Sequence, residues 1–208
     1  MSYIFVHGLG QTASAWDKVL ERLERQPECV CPDLPELIRG KEVRQYAELY
    51  EIFSGCCDKV SGPVHLCGLS LGGILALNYA IDHPDRVLSL VLIGAQYKMP
   101  KGLLRFQNVL FHLMPGSMFD QIGFGKQDYI SLSKSMMELD FSGELDKLLC
   151  PVLVLCGDRD RANQKAAHGL AQRIPNAKLT IVENAGHEVN VDAPERLAQL
   201  LDGFWEGL

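Results

Sequence analysis

The residues whose types and spacing could do chemistry begin with one serine. Residues 64–76 read V-H-L-C-G-L-S-L-G-G-I-L-A, which sets Ser70 between Gly68 and Gly72. An apolar run, 64–67, precedes this stretch and is opened by Gly62-Pro63; residues 73–80 behind it have helix composition. Strand, Gly-x-Ser-x-Gly and helix in that order place a serine on a sharp turn, its hydroxyl projecting free of the backbone as a nucleophile. Large flanking side chains would block such a turn, and the N–H after the serine points toward a developing oxyanion at a positive helix N-terminus. The five-residue pattern alone is a weak signal, and its strand and helix context is what strengthens it.

A nucleophilic serine needs a base and a group to orient that base. Two later segments offer them. Leu155-Cys156-Gly157-Asp158-Arg159-Asp160 ends one apolar run, and Asn184-Ala185-Gly186-His187-Glu188 follows another. Both fall at carboxyl ends of expected strands, where open α/β sheets hold ligands. His187 could take the Ser70 proton, and a carboxylate, Asp160 or Asp158, could hold the imidazole in the right tautomer. A lone Asp or His after a strand would be ordinary turn chemistry. Ser, Asp and His in that order, each at a strand end, are harder to assign to turns.

The elements that must position these groups alternate along the chain. Strands are expected at 3–6, 29–31, 64–67, 87–93, 152–156 and 179–182. Helices are expected at about 15–25, 43–59, 72–82, 163–173 and 194–205. This alternation implies α/β architecture with a mainly parallel sheet. Residues from about 96 to 149 interrupt it. The organisation expected is therefore a core of 1–95 and 150–208 with an inserted cap at 96–149.

With 208 residues, 47% hydrophobic and 22% charged, the chain has the size and composition of one globular domain. A net charge of −6 disfavours nucleic acid or an anionic membrane as main partner. No apolar run approaches the roughly 20 residues of a membrane span. The start, Met1-Ser2-Tyr3, runs straight into a strand with no signal-peptide pattern. The seven cysteines contain no C-x-x-C; several fall in apolar strands, where a thiol acts as a small hydrophobe. These features together point to a reducing cytoplasm, with no metal site.

The motifs resemble the α/β-hydrolase superfamily, in its cap-bearing, esterase-like branch. The resemblance rests on Val6-His7-Gly8-Leu9-Gly10 with Trp16 after it, Gly68-Leu69-Ser70-Leu71-Gly72-Gly73, His83-Pro84-Asp85-Arg86-Val87, Gly157-Asp158-Arg159-Asp160 and Gly186-His187. It implies a three-layer α/β/α sandwich of about six strands in the spatial order second, first, third, fourth, fifth, sixth, with a small helical cap after the fourth. It also implies an oxyanion hole from the N–H groups of Leu9 and Leu71, no cofactor, and Asp160 as triad acid, three residues after the glycine ending its strand, with Asp158 kept as the alternative. The chain lacks the strand pair with which most relatives begin, and residues 33–40 depart from the family's Asp-x-x-Gly-x-Gly-x-Ser.

The activity this implies is serine hydrolysis of carboxylic esters with short to medium apolar acyl groups, the partner being a small-molecule ester. The same triad also serves thioester, amide or carbon–carbon cleavage, lyase chemistry, or a non-catalytic binding or signalling protein. A homodimer is compatible with the sequence. Substrate information should reside in the apolar 96–149 segment, and Phe106, Leu110, Met114, Phe119 and Met136, with Gly8, are the expected pocket residues. His7 reads as a structural support for the oxyanion loop, Asp33 as a turn cap, His65 and Cys67 as packed core residues.

Overall fold

The computed structural model describes residues 2–24, 28–41, 43–102, 104–105, 108, 112, 114–116 and 126–208. Six strands, β1 (Ser2–Val6), β2 (Glu28–Val30), β3 (Val64–Leu69), β4 (Val87–Ile93), β5 (Val152–Gly157) and β6 (Ala177–Val182), form one sheet in the order β2-β1-β3-β4-β5-β6. Every neighbouring pair is parallel. The central strands are apolar almost throughout because helices cover both faces, so alternate side chains enter two different cores.

Ile4, Leu66, Leu92 and Val154 point into one core. It is closed by α2 (Leu34–Ile38), α3 (Tyr46–Cys57), α4 (Leu71–Asp82) and, beyond the 96–149 segment, α6 (Arg161–Arg173). Phe5, Cys67, Ile93 and Leu155 point into the other, against Trp16, α1 (Asp17–Leu20), α7 (Val189–Asp192) and α8 (Pro194–Glu206). This is the expected three-layer sandwich with the expected strand order. All seven cysteines are free thiols, and Cys67 is buried in the second core.

The helices near the N-terminus differ from expectation. In place of one helix over 15–25 there is a 3-10 turn, Ala13–Trp16, followed by the four residues of α1. The chain then tightens, with the Leu23 N–H reaching the Leu20 carbonyl, and the Glu24 N–H is drawn onto the Asp202 carboxylate of α8 at 2.9 Å. The loop expected before residue 43 contains α2, whose start is capped by Asp33 accepting from the Glu36 N–H at 3.1 Å. Short α7 was also not foreseen, since four residues carry no measurable period.

Within the 96–149 segment the chain leaves the sheet and returns side by side. Lys98 and Asp140 form an antiparallel bridge and an ion pair of 2.8 Å. The Met99 N–H donates to the Leu139 carbonyl, and the Phe141 N–H to the Tyr97 carbonyl. Between these strips lies α5 (Lys126–Met136), which meets α3 where the Tyr46 N–H donates to Ser135 Oγ at 2.7 Å. Among the described residues no helix is long and apolar enough to cross a membrane.

Candidate active site

Ser70 stands between β3 and α4 with φ 52° and ψ −114°, a conformation that costs a non-glycine residue about 1–3 kcal/mol. The surroundings hold it there. Its N–H donates to the Ile93 carbonyl of β4 at 2.8 Å, and its own carbonyl accepts the first bond of α4 from Ile74. The flanking glycines are steric necessities: a Cβ on Gly68 would lie 2.3 Å from the Gly72 carbonyl oxygen, and one on Gly72 would lie 2.2 Å from that of Val6.

The other two groups come from the ends of β5 and β6. His187 Nδ1 lies 2.7 Å from Asp160 Oδ2. The Asp160 side chain is 5% exposed and that of His187 is 41% exposed, so the imidazole can present its other nitrogen to a ligand while its carboxylate partner stays dry. Burial opposes ionisation of Asp160, but hydrogen bonds from His187 and Asn163 outweigh it and hold the carboxyl below its ordinary range. Asp158 is engaged elsewhere: its carboxylate accepts the Ala185 N–H at 3.2 Å and shapes the turn before His187.

Ser70, Asp160 and His187 line one cavity of about 410 Å³, together with Leu9 and Leu71. Leu71 opens α4, so its N–H has no intrahelical acceptor. The Leu9 N–H has no acceptor among the described residues, whereas the neighbouring Gly8 N–H is taken by Gln11 Oε1 at 3.3 Å. Gly8 passes against the turn that carries Ser70, its Cβ position 3.5 Å from that of Ser70. The apolar wall is formed by Ile74, Met99, Leu104, Tyr129 and Met136. Of the expected pocket residues, Met136 therefore lines the cavity, and Met114 packs half-buried against the larger core. Phe106, Leu110 and Phe119 lie outside the described residues. A larger cleft, about 620 Å³, opens near the starts of β5 and β6 between Pro151, Thr180 and Phe204, and it contains no serine, cysteine or histidine.

The loop holding Leu9 is pinned by buried polar groups. His7 Nε2 accepts the Leu34 N–H at 3.0 Å, which leaves Nδ1 protonated to donate to the Gly8 carbonyl at 2.8 Å. Burial holds its pKa below 6.5. Gln11 also exchanges hydrogen bonds with Asn190 of α7, which ties the Leu9 loop to the segment carrying His187. His65 is a packed residue, bonded to Ser89 and stacked on Tyr3.

Three residues around Asp160 and His187 escape sequence reasoning. Asn163, one turn into α6, donates Nδ2 to both Asp160 oxygens at 2.8 and 2.9 Å. It lies 3.1 Å from His187 Nδ1, a proximity and not a second donation when that nitrogen carries the proton shared with Asp160. Gln96 Nε2 donates to Asn163 Oδ1 at 2.7 Å and so fixes which way the amide faces. Gly94, at φ +55°, leaves the space in which the imidazole sits: a Cβ there would be 3.0 Å from His187 Nδ1. The i+3 spacing of Asn163 from Asp160 was the one available signal, and in a helix start it reads as ordinary capping. Among the described residues no group of three His, Cys, Asp or Glu side chains could hold a metal ion.

This arrangement can accept a proton from a serine hydroxyl and stabilise the resulting imidazolium. The family model described as the alpha/beta hydrolase family matches residues 3–200. The chain belongs to that family. Its relatives include the (E)-2-((N-methylformamido)methylene)succinate hydrolase of Acinetobacter baylyi, 20% identical over 98% of this chain and 89% of the relative. Another is the human monoacylglycerol lipase ABHD6, 23% identical over 98% of this chain and 74% of the relative. Among solved structures, an esterase from Exiguobacterium antarcticum superposes with a TM-score of 0.85 at 16% identity, covering 99% of this chain and 92% of the esterase. At that identity the superposition speaks for the fold alone.

Proposed function

We propose that this family member is a serine hydrolase that cleaves carboxylic esters bearing short to medium, largely apolar acyl groups. Ser70 Oγ attacks the ester carbonyl while His187 takes its proton. Asp160 orients the imidazole and balances the imidazolium, and the N–H groups of Leu9 and Leu71 receive the oxyanion. The tetrahedral intermediate collapses to an acyl-Ser70 enzyme as His187 gives the proton to the departing alcohol. Water, deprotonated by His187, then releases the acid and restores Ser70. In this reading segment 96–149 is a cap, and Met99, Leu104, Tyr129 and Met136 receive the acyl chain.

The observation that carries the reading is the 2.7 Å His187–Asp160 pair opening onto the same cavity as Ser70. That a human relative is named a monoacylglycerol lipase adds support for an ester. The test is labelling by a fluorophosphonate together with turnover of p-nitrophenyl esters from acetyl to decanoyl. One equivalent of label on Ser70 is expected, and Ser70→Ala or His187→Ala should each leave less than about one part in a thousand of the turnover. Activity should climb from acetyl to butyryl or hexanoyl by about fourfold per methylene, the equivalent of ~0.8 kcal/mol each. Full activity in Ser70→Ala would remove the assignment.

A further inference from the structure

One polar group in the cavity has no task in this mechanism. Tyr129, Ser133 and Met136 form a stripe along α5, spaced i, i+4 and i+7, and all three line the cavity that holds Ser70. Ser133 is 3% exposed, no hydrogen bond of its hydroxyl is found among the described residues, and the oxygen is not one of the fully enclosed unpaired polar atoms, so it keeps contact with the cavity. Its neighbour Ser135 behaves differently, donating to the Leu132 carbonyl at 2.8 Å and accepting the Tyr46 N–H. A helical serine usually discharges its hydroxyl onto the preceding turn in that way. A hydroxyl that faces a cavity without a protein partner is free to pair with cavity water or with a ligand group that displaces it. The other polar side chains in this part of the wall are engaged, Gln96 with Asn163 and Asn163 with Asp160.

We propose that Ser133 is a specificity-determining residue whose hydroxyl binds an oxygen carried on the acyl chain, so that the preferred substrates are esters of oxo- or hydroxy-substituted acids of medium length. This rests on the ester-cleaving reading above and narrows its substrate class. The other side chains near the acyl path, Ile74, Met99, Leu104 and Met136, are apolar, so an isolated oxygen on an otherwise hydrocarbon chain fits this wall. Along the helix axis Ser133 lies about 6 Å from Tyr129 and about 4.5 Å from Met136, at 1.5 Å per residue. The polar point is thus in the middle of the stripe and not at its rim. A hydroxyl both donates and accepts, so a ketone and an alcohol are equally suitable partners.

The experiment compares kcat/KM for p-nitrophenyl hexanoate with its 4-oxo and 5-oxo derivatives in the wild type and in Ser133→Ala. The leaving group is constant, so the oxo-to-plain ratio reports the acyl side alone, and the ratio of ratios cancels the cost of dehydrating the ketone. For the better of the two oxo esters, that ratio should fall about fivefold in Ser133→Ala, equivalent to about 1 kcal/mol for one hydrogen bond. Alanine favours the helix, so the fold should survive, and a thermal melt checks this. An unchanged ratio for both oxo esters would make Ser133 a small spacer and overturn the proposal. Calorimetric binding of hexanoic and oxohexanoic acids to Ser70→Ala separates the two readings. A preference there that Ser133→Ala removes supports the handle even if no ester is turned over, in which case only the hydrolytic reading fails. No preference there would count against the handle itself.

Discussion

Replacing Asn163 with alanine removes the amide nitrogen that donates to both oxygens of the buried Asp160 carboxylate while leaving Ser70, Asp160 and His187 in place. That nitrogen stands 2.8 and 2.9 Å from the two oxygens, and the only other side chain described on that carboxylate is His187. A hydrogen bond to a charged group contributes about 1.5–3 kcal/mol. Two effects then oppose each other. A carboxylate relieved of Asn163 concentrates more charge toward the imidazolium, which helps. A carboxylate held at one point can rotate, which misplaces the imidazole, and small misplacements of a catalytic group cost up to about a hundredfold. Water entering the vacated space can replace some of the lost donation but not the orientation fixed by Gln96. The orientational loss should win, so kcat for p-nitrophenyl butyrate should fall about ten- to a hundredfold, or 1.4–2.7 kcal/mol in the barrier. KM should move by less than about threefold, because both ends of the Asn163 amide are already engaged within the protein. Asn163→Asp should lose more, since two carboxylates about 3 Å apart cannot both ionise. Steady-state kinetics beside a thermal melt is the assay. A kcat within threefold of wild type, with a lowered melting point, would assign Asn163 to the start of α6 alone and refute the argument.

Two further outcomes follow from the site. Asp160→Asn should lose several orders of magnitude in kcat, because an amide favours the wrong tautomer and cannot balance an imidazolium, while Asp158→Asn should stay within roughly tenfold; the reverse ranking by the same kinetics would move the acid to Asp158. The pH dependence of stability should show His7. Burial lowers its pKa below 6.5, so the unfolded chain binds the proton more readily, and stability that is complete above pH 6.5 is lost as the pH falls below it. His65 shifts in the same direction and contributes in the same window. Melting temperature should therefore drop between about pH 7 and 5, and His7→Asn, though less stable at neutral pH, should show a shallower drop; equal slopes would mean that His7 does not titrate there.

The strand order followed from the family resemblance, whereas the layer architecture and the candidates Ser70, His187, Asp158 and Asp160 were legible in the sequence itself. Those signals are local. An apolar run buried on both faces, a glycine bracket around one serine, and a motif at each strand end are legible because sheet burial and sharp turns restrict residue type at fixed spacing. The distinction between Asp158 and Asp160 was not local. Both follow the same strand, and only the packing of the β6 turn against α6 directs one carboxylate to the Ala185 backbone and the other to His187. The same holds for Gly94 and Gln96 in the loop after β4 and Asn163 on α6, which converge on Asp160 and His187, and for Gln11 and Asn190, which are 179 positions apart. Short helices such as α2 and α7 were invisible for another reason: with four or five residues they have no readable period, and α2 is held by its Asp33 cap and α7 by contacts such as Asn190 with Gln11. Ser133 combines both limits. Its composition marks it as an ordinary polar helix residue, and only the direction of α5 over Ser70 turns that hydroxyl into a feature of the cavity.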